Sequence, residues 1–445
     1  MIKQKGKQKY LLYLHRNQQK IIRNRQKRYQ RKHHIRRSGK YQENNFLGND
    51  YINVINLLDE KKFASPHYSK EQEILVIPEI FSISETPEIV IKLLRRMYTI
   101  LRCERTKRLI FDHSHCINLG LSASTIMDII VLAVHRYREK QDAPLELMGR
   151  LPDSKAVKDI LLASGLPYHL KAESLLHYDE KHVERFETVK GQHSINANKA
   201  GETATKLMLY FNKCLKRQMM ELNEEGMRLL SRILGEVISN SEIHGGESST
   251  WYTQGHYQIK DDNSFGEMQM LFLNMGETIY EGLKNDSSDE TQQRLAHILK
   301  LQKKYMNANW DEEMLFTLLA LQEGISRLRN SSINGYESRG SGTVSMIEMF
   351  NDIGKSQNGL KPQMTIISGK TQIKFTDSYK MECVEFDEDM AFGTGEKRII
   401  AFNKDNDIYL PPDGNNVIKM SEYFPGTVIS LKFYLDSRYI VSKKR

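Results

Sequence analysis

The segment Leu234–Gly246, LGEVISNSEIHGG, carries the most information in the chain. Glu236, Asn240 and His244 recur at four-residue spacing, which on an α-helix lines them along one stripe. Leu230, Ile233, Leu234, Val237 and Ile238 fill the adjoining apolar face. A solvated helix face is the plain alternative. Solvated faces usually carry Lys and Glu, however, and Asn inside a helix is mildly unfavourable because its side chain competes for backbone hydrogen bonds. The stripe therefore asks for a chemical use of a carboxylate, a carboxamide and an imidazole.

Three later segments extend the pattern. Met270–Ile279, MLFLNMGETI, reads as a strand running into a turn at Gly276. Tyr336–Phe350, YESRGSGTVSMIEMF, is a Gly-rich turn entering an apolar helix. Such a turn is either a tight bend or a phosphate cradle, because backbone N–H groups and the helix dipole both favour an anion there. Phe424–Leu431, FPGTVISL, is a turn entering a strand.

The four segments, in this order, resemble the ATP-binding domain shared by DNA gyrase, a chaperone family, sensor histidine kinases and MutL proteins, the GHKL or Bergerat-fold ATPases. The resemblance covers roughly residues 203–434. It implies an α/β sandwich that binds ATP with Mg²⁺. By that likeness Asn240 binds Mg²⁺, and Glu236 orients or deprotonates the attacking water. Ile243-His244-Gly245 is closest to the anti-sigma-factor serine-kinase branch, which adds His244 to the nucleotide site. Asn274-Met275-Gly276 sits where the family has Asp-x-Gly, whose Asp accepts a hydrogen bond from the adenine amino group. Arg339-Gly340-Ser341-Gly342-Thr343 resembles the second glycine box, and Gly426-Thr427 the closing Gly-Thr, with the Thr hydroxyl near adenine. Two positions depart from the pattern. Asn274 keeps an acceptor but loses the charge, so lower affinity or relaxed base selectivity is expected. Thr278 stands where a second glycine would allow close backbone approach. Residues 280–335 correspond to the ATP lid, with helices expected at Thr291–Met306 and Asp311–Arg329.

Residues 73–170 alternate strand and helix patterns, a sheet covered by helices. A strand is expected over Glu73–Ile83, helices over Pro87–Cys103, Ser122–Arg138 and Asp153–Ser164, and further strands at Leu109-Ile110-Phe111 and Leu145–Met148. Leu109-Ile110-Phe111-Asp112 before a Ser-rich helix start, and Gly149-Arg150-Leu151-Pro152 before Val157–Gly165, resemble a STAS domain. In that family a serine at the start of the long helix is phosphorylated; Ser122 and Ser124 are the candidates, with Ala123 in the best register for the phosphosite. His113, His115 and Cys116 lack a second ligand pair and read as strand-end packing. Residues 46–70 read as irregular and 171–202 as a linker. The second block, 203–435, is expected to hold helices at 201–221, 224–242 and 342–352, and strands at 251–260, 267–274, 363–368, 371–376 and 427–434.

The chain carries 65 Lys+Arg and 56 Asp+Glu, a formal net charge of +9. Fifteen of those bases and no acid lie in residues 1–40, leaving 50 bases against 56 acids elsewhere. Residues 1–45 are thus a basic arm on a mildly acidic body with 39% hydrophobic residues, which excludes a largely disordered chain. The arm, with Tyr10, Tyr13 and Tyr29 interleaved, suits nucleic acid or an anionic membrane surface without sequence readout. Its Lys and Arg also suit organelle targeting, though such peptides are usually Ser-rich. No apolar run approaches the ~20 residues of a transmembrane helix, and four scattered cysteines fit a reducing, cytoplasmic setting. The leading expectation is a cytoplasmic regulatory ATPase, a STAS-like domain fused to a Bergerat-fold domain, with a regulatory protein partner and a homodimer left open. The alternatives are a protein serine kinase of the anti-sigma-factor type and a nucleic-acid-associated ATPase anchored by residues 1–40.

Overall fold

The structure is a computed structural model. It describes residues 50–170, 178–192, 199–244, 250–260, 265–325, 341–352 and 359–437. The basic arm lies outside them.

Tyr51, Val54, Ile55 and Leu58 are buried at helical spacing, so helix α1 (Tyr51–Glu60) forms where irregular structure is expected. Asn53 and Asn56 are poor helix formers, and packing of the apolar face on helix α3 outweighs them. The expected strand 73–83 is split into β1 (Gln72–Val76) and β2 (Ile80–Phe81) around Pro78, which has no N–H for a ladder. There follow α2 (Pro87–Arg102), β3 (Arg108–Asp112), β4 (Asn118–Leu119), α3 (Leu121–Lys140), β5 (Glu146–Arg150), α4 (Lys155–Ser164) and the short α5 (Leu166–His169). Pro87 opens α2 in the first turn, where an N–H would have no intrahelical acceptor. Ser154 caps α4 by accepting from the Val157 amide. Strands β1, β3 and β5 form a parallel sheet in that order, and β2 pairs with β4.

The second block is built on a five-stranded antiparallel sheet in the order β6-β7-β8-β12-β9. Its members are β6 (Val183–Gln192), β7 (Thr250–Lys260), β8 (Phe265–Met275), β9 (Gln363–Phe375) and β12 (Val417–Leu435). Strand β6 lies inside the segment expected as a linker. The two strands expected at 363–368 and 371–376 are one strand, bent at Gly369, whose φ is +58°. A Cβ there would meet Glu313 Oε1 at 2.2 Å, the atom that accepts the Lys370 amide. Helices α6 (Lys199–Lys216), α7 (Glu224–His244) and α11 (Ser341–Asp352) cover one face. The expected lid holds α8 (Ile279–Asp286), α9 (Asp289–Gln302) and α10 (Glu312–Leu319), with 326–340 outside the described residues. The hairpin β10 (Glu382–Asp389) and β11 (Gly393–Ile399) is an element the sequence pattern does not announce.

The described chain has two cores. One lies between the sheet and α6, α7, α10 and α11. The other lies on the opposite face, where Tyr252, Leu271, Leu273, Met275, Ile367, Met420, Phe424 and Val428 pack with α2 and α3 of the first block. Each large apolar side chain removed from water there contributes roughly 1.5–3 kcal/mol before conformational entropy is counted. Residues Phe46–Arg445 accordingly form one unit.

A polar seam runs through that junction. The Leu121 amide donates to Gln269 Oε1 at 2.8 Å, and Ser122 Oγ to Ser430 Oγ at 2.8 Å. Thr125 pairs with Gln254, whose Nε2 donates to the Ser164 carbonyl, and Ser164 Oγ meets His256 Nδ1 at 3.1 Å. Ser122 and Ser124 are both 2% exposed, so the docked helix offers neither hydroxyl to a kinase.

Burial holds the His256 imidazole at about 3, against an ordinary 6.5. The unfolded chain takes up this proton below about 6.5 and the folded chain only near 3, so stability is lost as pH falls across that interval. Relative to His256→Gln, the native chain is expected to lose about 2 kcal/mol between pH 7.5 and pH 5. Urea midpoints of both proteins at the two pH values check this.

Among the described residues no group of three His, Cys, Asp or Glu side chains converges on a metal position. His113 is buried and held down at about 4 by that burial. The four cysteines form no disulfide. No helix among the described residues is long and apolar enough to cross a membrane.

Candidate functional site

The stripe predicted from Leu234–Gly246 lies on α7. Ile233, Leu234, Val237 and Ile238 are buried and turn the helix onto the sheet, next to α6 and α11. Glu236 and Asn240 flank that face and are half-buried. His244 is the last residue of the helix, and its side chain lies outside the described residues.

Strand β8 alternates. Met268, Met270 and Phe272 face the helices, while Leu271, Leu273 and Met275 face the first block. By the same alternation Asn274 faces the helices, at the end of the strand. It is 4% exposed, and its Oδ1 has no hydrogen-bond partner. Such an atom costs roughly 1–3 kcal/mol and is rare in folded proteins.

The register converges on this point. Thr427 of β12 pairs directly with Asn274, and Gly426 with Met275. The Gly276 amide donates to the Pro425 carbonyl at 3.3 Å. Gly426 has φ +138°, and a Cβ on it would lie 2.1 Å from the Asn274 carbonyl oxygen, so only glycine permits this approach. On its other edge Thr427 pairs with Ser368 of β9, their hydroxyls 2.9 Å apart. Ser368 Oγ also accepts the Ile279 amide at 2.8 Å. No sequence motif points to Ser368; only the pairing register brings it to the site.

Thr278 stands where the resemblance would put a glycine because a helix begins there. Its hydroxyl accepts the Glu281 amide, and Glu281 Oε2 accepts the Thr278 amide at 2.9 Å, a reciprocal cap on α8. The other oxygen, Glu281 Oε1, takes Lys61 Nζ at 2.8 Å and the Tyr423 hydroxyl at 3.3 Å. Burial alone would raise the Glu281 carboxyl; the Lys61 ammonium and Thr278 amide outweigh it and hold the group below its usual range. Two sets of hydrogen bonds, Lys61–Glu281–Thr278 and Ile279–Ser368–Thr427, are thus joined through the Thr278–Ile279 peptide bond.

Of the predicted site residues, Asn274, Gly276 and Thr427 meet at one strand end, while Glu236 and Asn240 lie on the helix covering that face. Ser341, Gly342 and Thr343 form the first turn of α11, which packs against α7. Arg339 and Gly340 lie outside the described residues. Comparisons of the chain with protein-family models, with curated proteins and with solved structures found no match.

Proposed function

We propose that residues 203–435 are a Bergerat-fold domain that binds Mg-ATP, and that the STAS-like block, 73–170, responds to the bound state. The observation that carries this reading is the buried Oδ1 of Asn274, left without a partner beside Thr427 and Ser368. An acceptor held dry at this position suits an exocyclic amino group of a purine. The first turn of α11 supports it, since helix N-termini favour phosphate.

In this reading Asn274 accepts from the base, Thr427 orients it, and the α11 N-terminus with Arg339 and Gly340 meets the phosphates. Asn240 would hold the Mg²⁺ that accompanies the nucleotide, an oxygen-ligand role its carboxamide suits. Bound there, the ion would supply screening of the charge on the phosphates. Glu236 takes the proton of an attacking water when hydrolysis follows. Ser122 and Ser124 are buried, which favours a binding and sensing role for the first block over one as phosphate acceptor at that helix.

Titration calorimetry of the full chain with ATP and Mg²⁺ tests the reading. Asn240→Ala is expected to weaken binding by roughly 10–100-fold, the usual cost of losing a metal-orienting group. Gly342→Val, which puts a β-branched side chain in the first turn of α11, is expected to do the same. Absence of binding by the native chain at millimolar nucleotide would sink the proposal.

A further inference from the structure

Parallel sheets are ordinarily covered on both faces. The β1-β3-β5 sheet turns Leu75, Leu109 and Phe111 into the core, but its other face carries exposed apolar residues. Ile74 is 39% exposed, Val76 54% and Met148 46%. The register arranges this face in three rows. Gln72, Arg108 and Glu146 form the first, Ile74, Ile110 and Met148 the second, and Val76, Asp112 and Arg150 the third. An apolar middle row is therefore flanked by two charged ones. Arg108 and Glu146 pair at 2.7 Å in the first row, and Arg150 and Asp112 at 2.6 Å in the third.

We propose that this face takes a second copy of the chain, stacked face to face about a two-fold axis along the middle row. That axis lays each strand antiparallel over its own equivalent. Glu146 then lies over the partner's Arg150, both exposed, while Arg108 lies over the partner's Asp112, which is buried and held by its own Ser114 and Arg150, so the Glu146–Arg150 pairs carry the charge match. Ile74, Ile110 and Met148 meet themselves in the centre. The other two-fold that stacks the same faces, along the strands, puts Arg108 on the partner's Arg108 and Asp112 on the partner's Asp112. The charge pattern thus selects one of the two arrangements, which an undirected apolar patch would not do. The three rows span only about 10 by 13 Å, by strand spacing and rise. This is well under the ~800 Å² per partner of a stable interface. The association is therefore weak and concentration-dependent.

Sedimentation equilibrium of the full chain from about 10 to about 300 µM, the range where interfaces below standard size associate, tests it. The weight-average mass is expected to rise from 51.8 kDa toward twice that value. Met148→Asp is expected to keep the chain monomeric. Glu146→Arg and Arg150→Glu, both on exposed side chains, are each expected to weaken association at least ~10-fold. Together they recover part of it: the reversed charges again meet across the axis, while each now lies beside a like charge of its own row, Arg108 or Asp112. A native chain that stays monomeric throughout overturns the proposal. So does self-association indifferent to Met148→Asp, or a double variant no tighter than the singles.

Discussion

Asn274→Leu is expected to move stability and binding in opposite directions. The nucleotide-free protein should gain roughly 1–2 kcal/mol, because a buried oxygen with no partner is replaced by an apolar group of similar shape. The same change should remove measurable ATP binding at millimolar concentration, since the acceptor for the base is gone. Urea denaturation without ligand and calorimetry with ATP read the two effects separately. A core substitution that merely disrupts packing would lower both, whereas a residue kept for binding at the expense of stability raises one and abolishes the other. A less stable variant that still binds ATP would show that Oδ1 is neither idle nor the reader of the base.

Gly426→Ala is expected to be the most damaging single methyl in the described chain. A Cβ there would sit 2.1 Å from the Asn274 carbonyl oxygen and 3.0 Å from Met275 Cα, at φ +138°. Both obstacles are backbone, so no side chain can swing aside and the β8–β12 ladder must shift. The expected loss is about 3 kcal/mol or more in urea, together with ATP binding, because Thr427 is the next residue. Gly393→Ala supplies the control. Its φ is +75°, but a Cβ there meets nothing within 4 Å, so only the conformational cost of about 1 kcal/mol remains. Equal losses at the two positions would mean that the close approach at Gly426 does not matter.

The helices of this chain were the legible part. In α2 and α7 the apolar residues recur at three and four, and the expected limits fall within a few residues of those observed. Elements with weak pattern were not legible. Strand β6, VERFETVKGQ, is an edge strand with polar, half-buried positions, and its composition reads as a solvated linker. The hairpin β10–β11 alternates Glu and Asp with half-buried Val384 and Phe386, which gives little core signal. Around the site, Asn274, Gly276 and Thr427 could be picked out because each stands in a turn-and-strand pattern. Ser368 could not, because it is one hydroxyl in an apolar strand, and only the two-sided pairing of β12 brings it there. Thr278 was legible in another sense: Thr-x-x-Glu, Thr278 to Glu281, is a helix-start signature. Read against a glycine pattern it looks like a loss; read as a cap it explains why helix α8 starts there.

The order β6-β7-β8-β12-β9 also bears on how the protein is made. Strand β12 fills the slot between β8 and β9, yet it leaves the ribosome after both. Until it arrives, β8 and β9 each hold an unpaired edge, and Val428 and Phe424 are missing from the core beneath α3. At about 5–20 residues per second, the roughly 140 residues between β8 and β12 leave the β8 edge open for about 7 seconds or more, and the roughly 40 between β9 and β12 leave the β9 edge open for at least about 2 seconds, long enough for intermolecular pairing. Closure of the sheet is thus a late, long-range event, and assembly of the strand end that holds Asn274 and Thr427 waits on it.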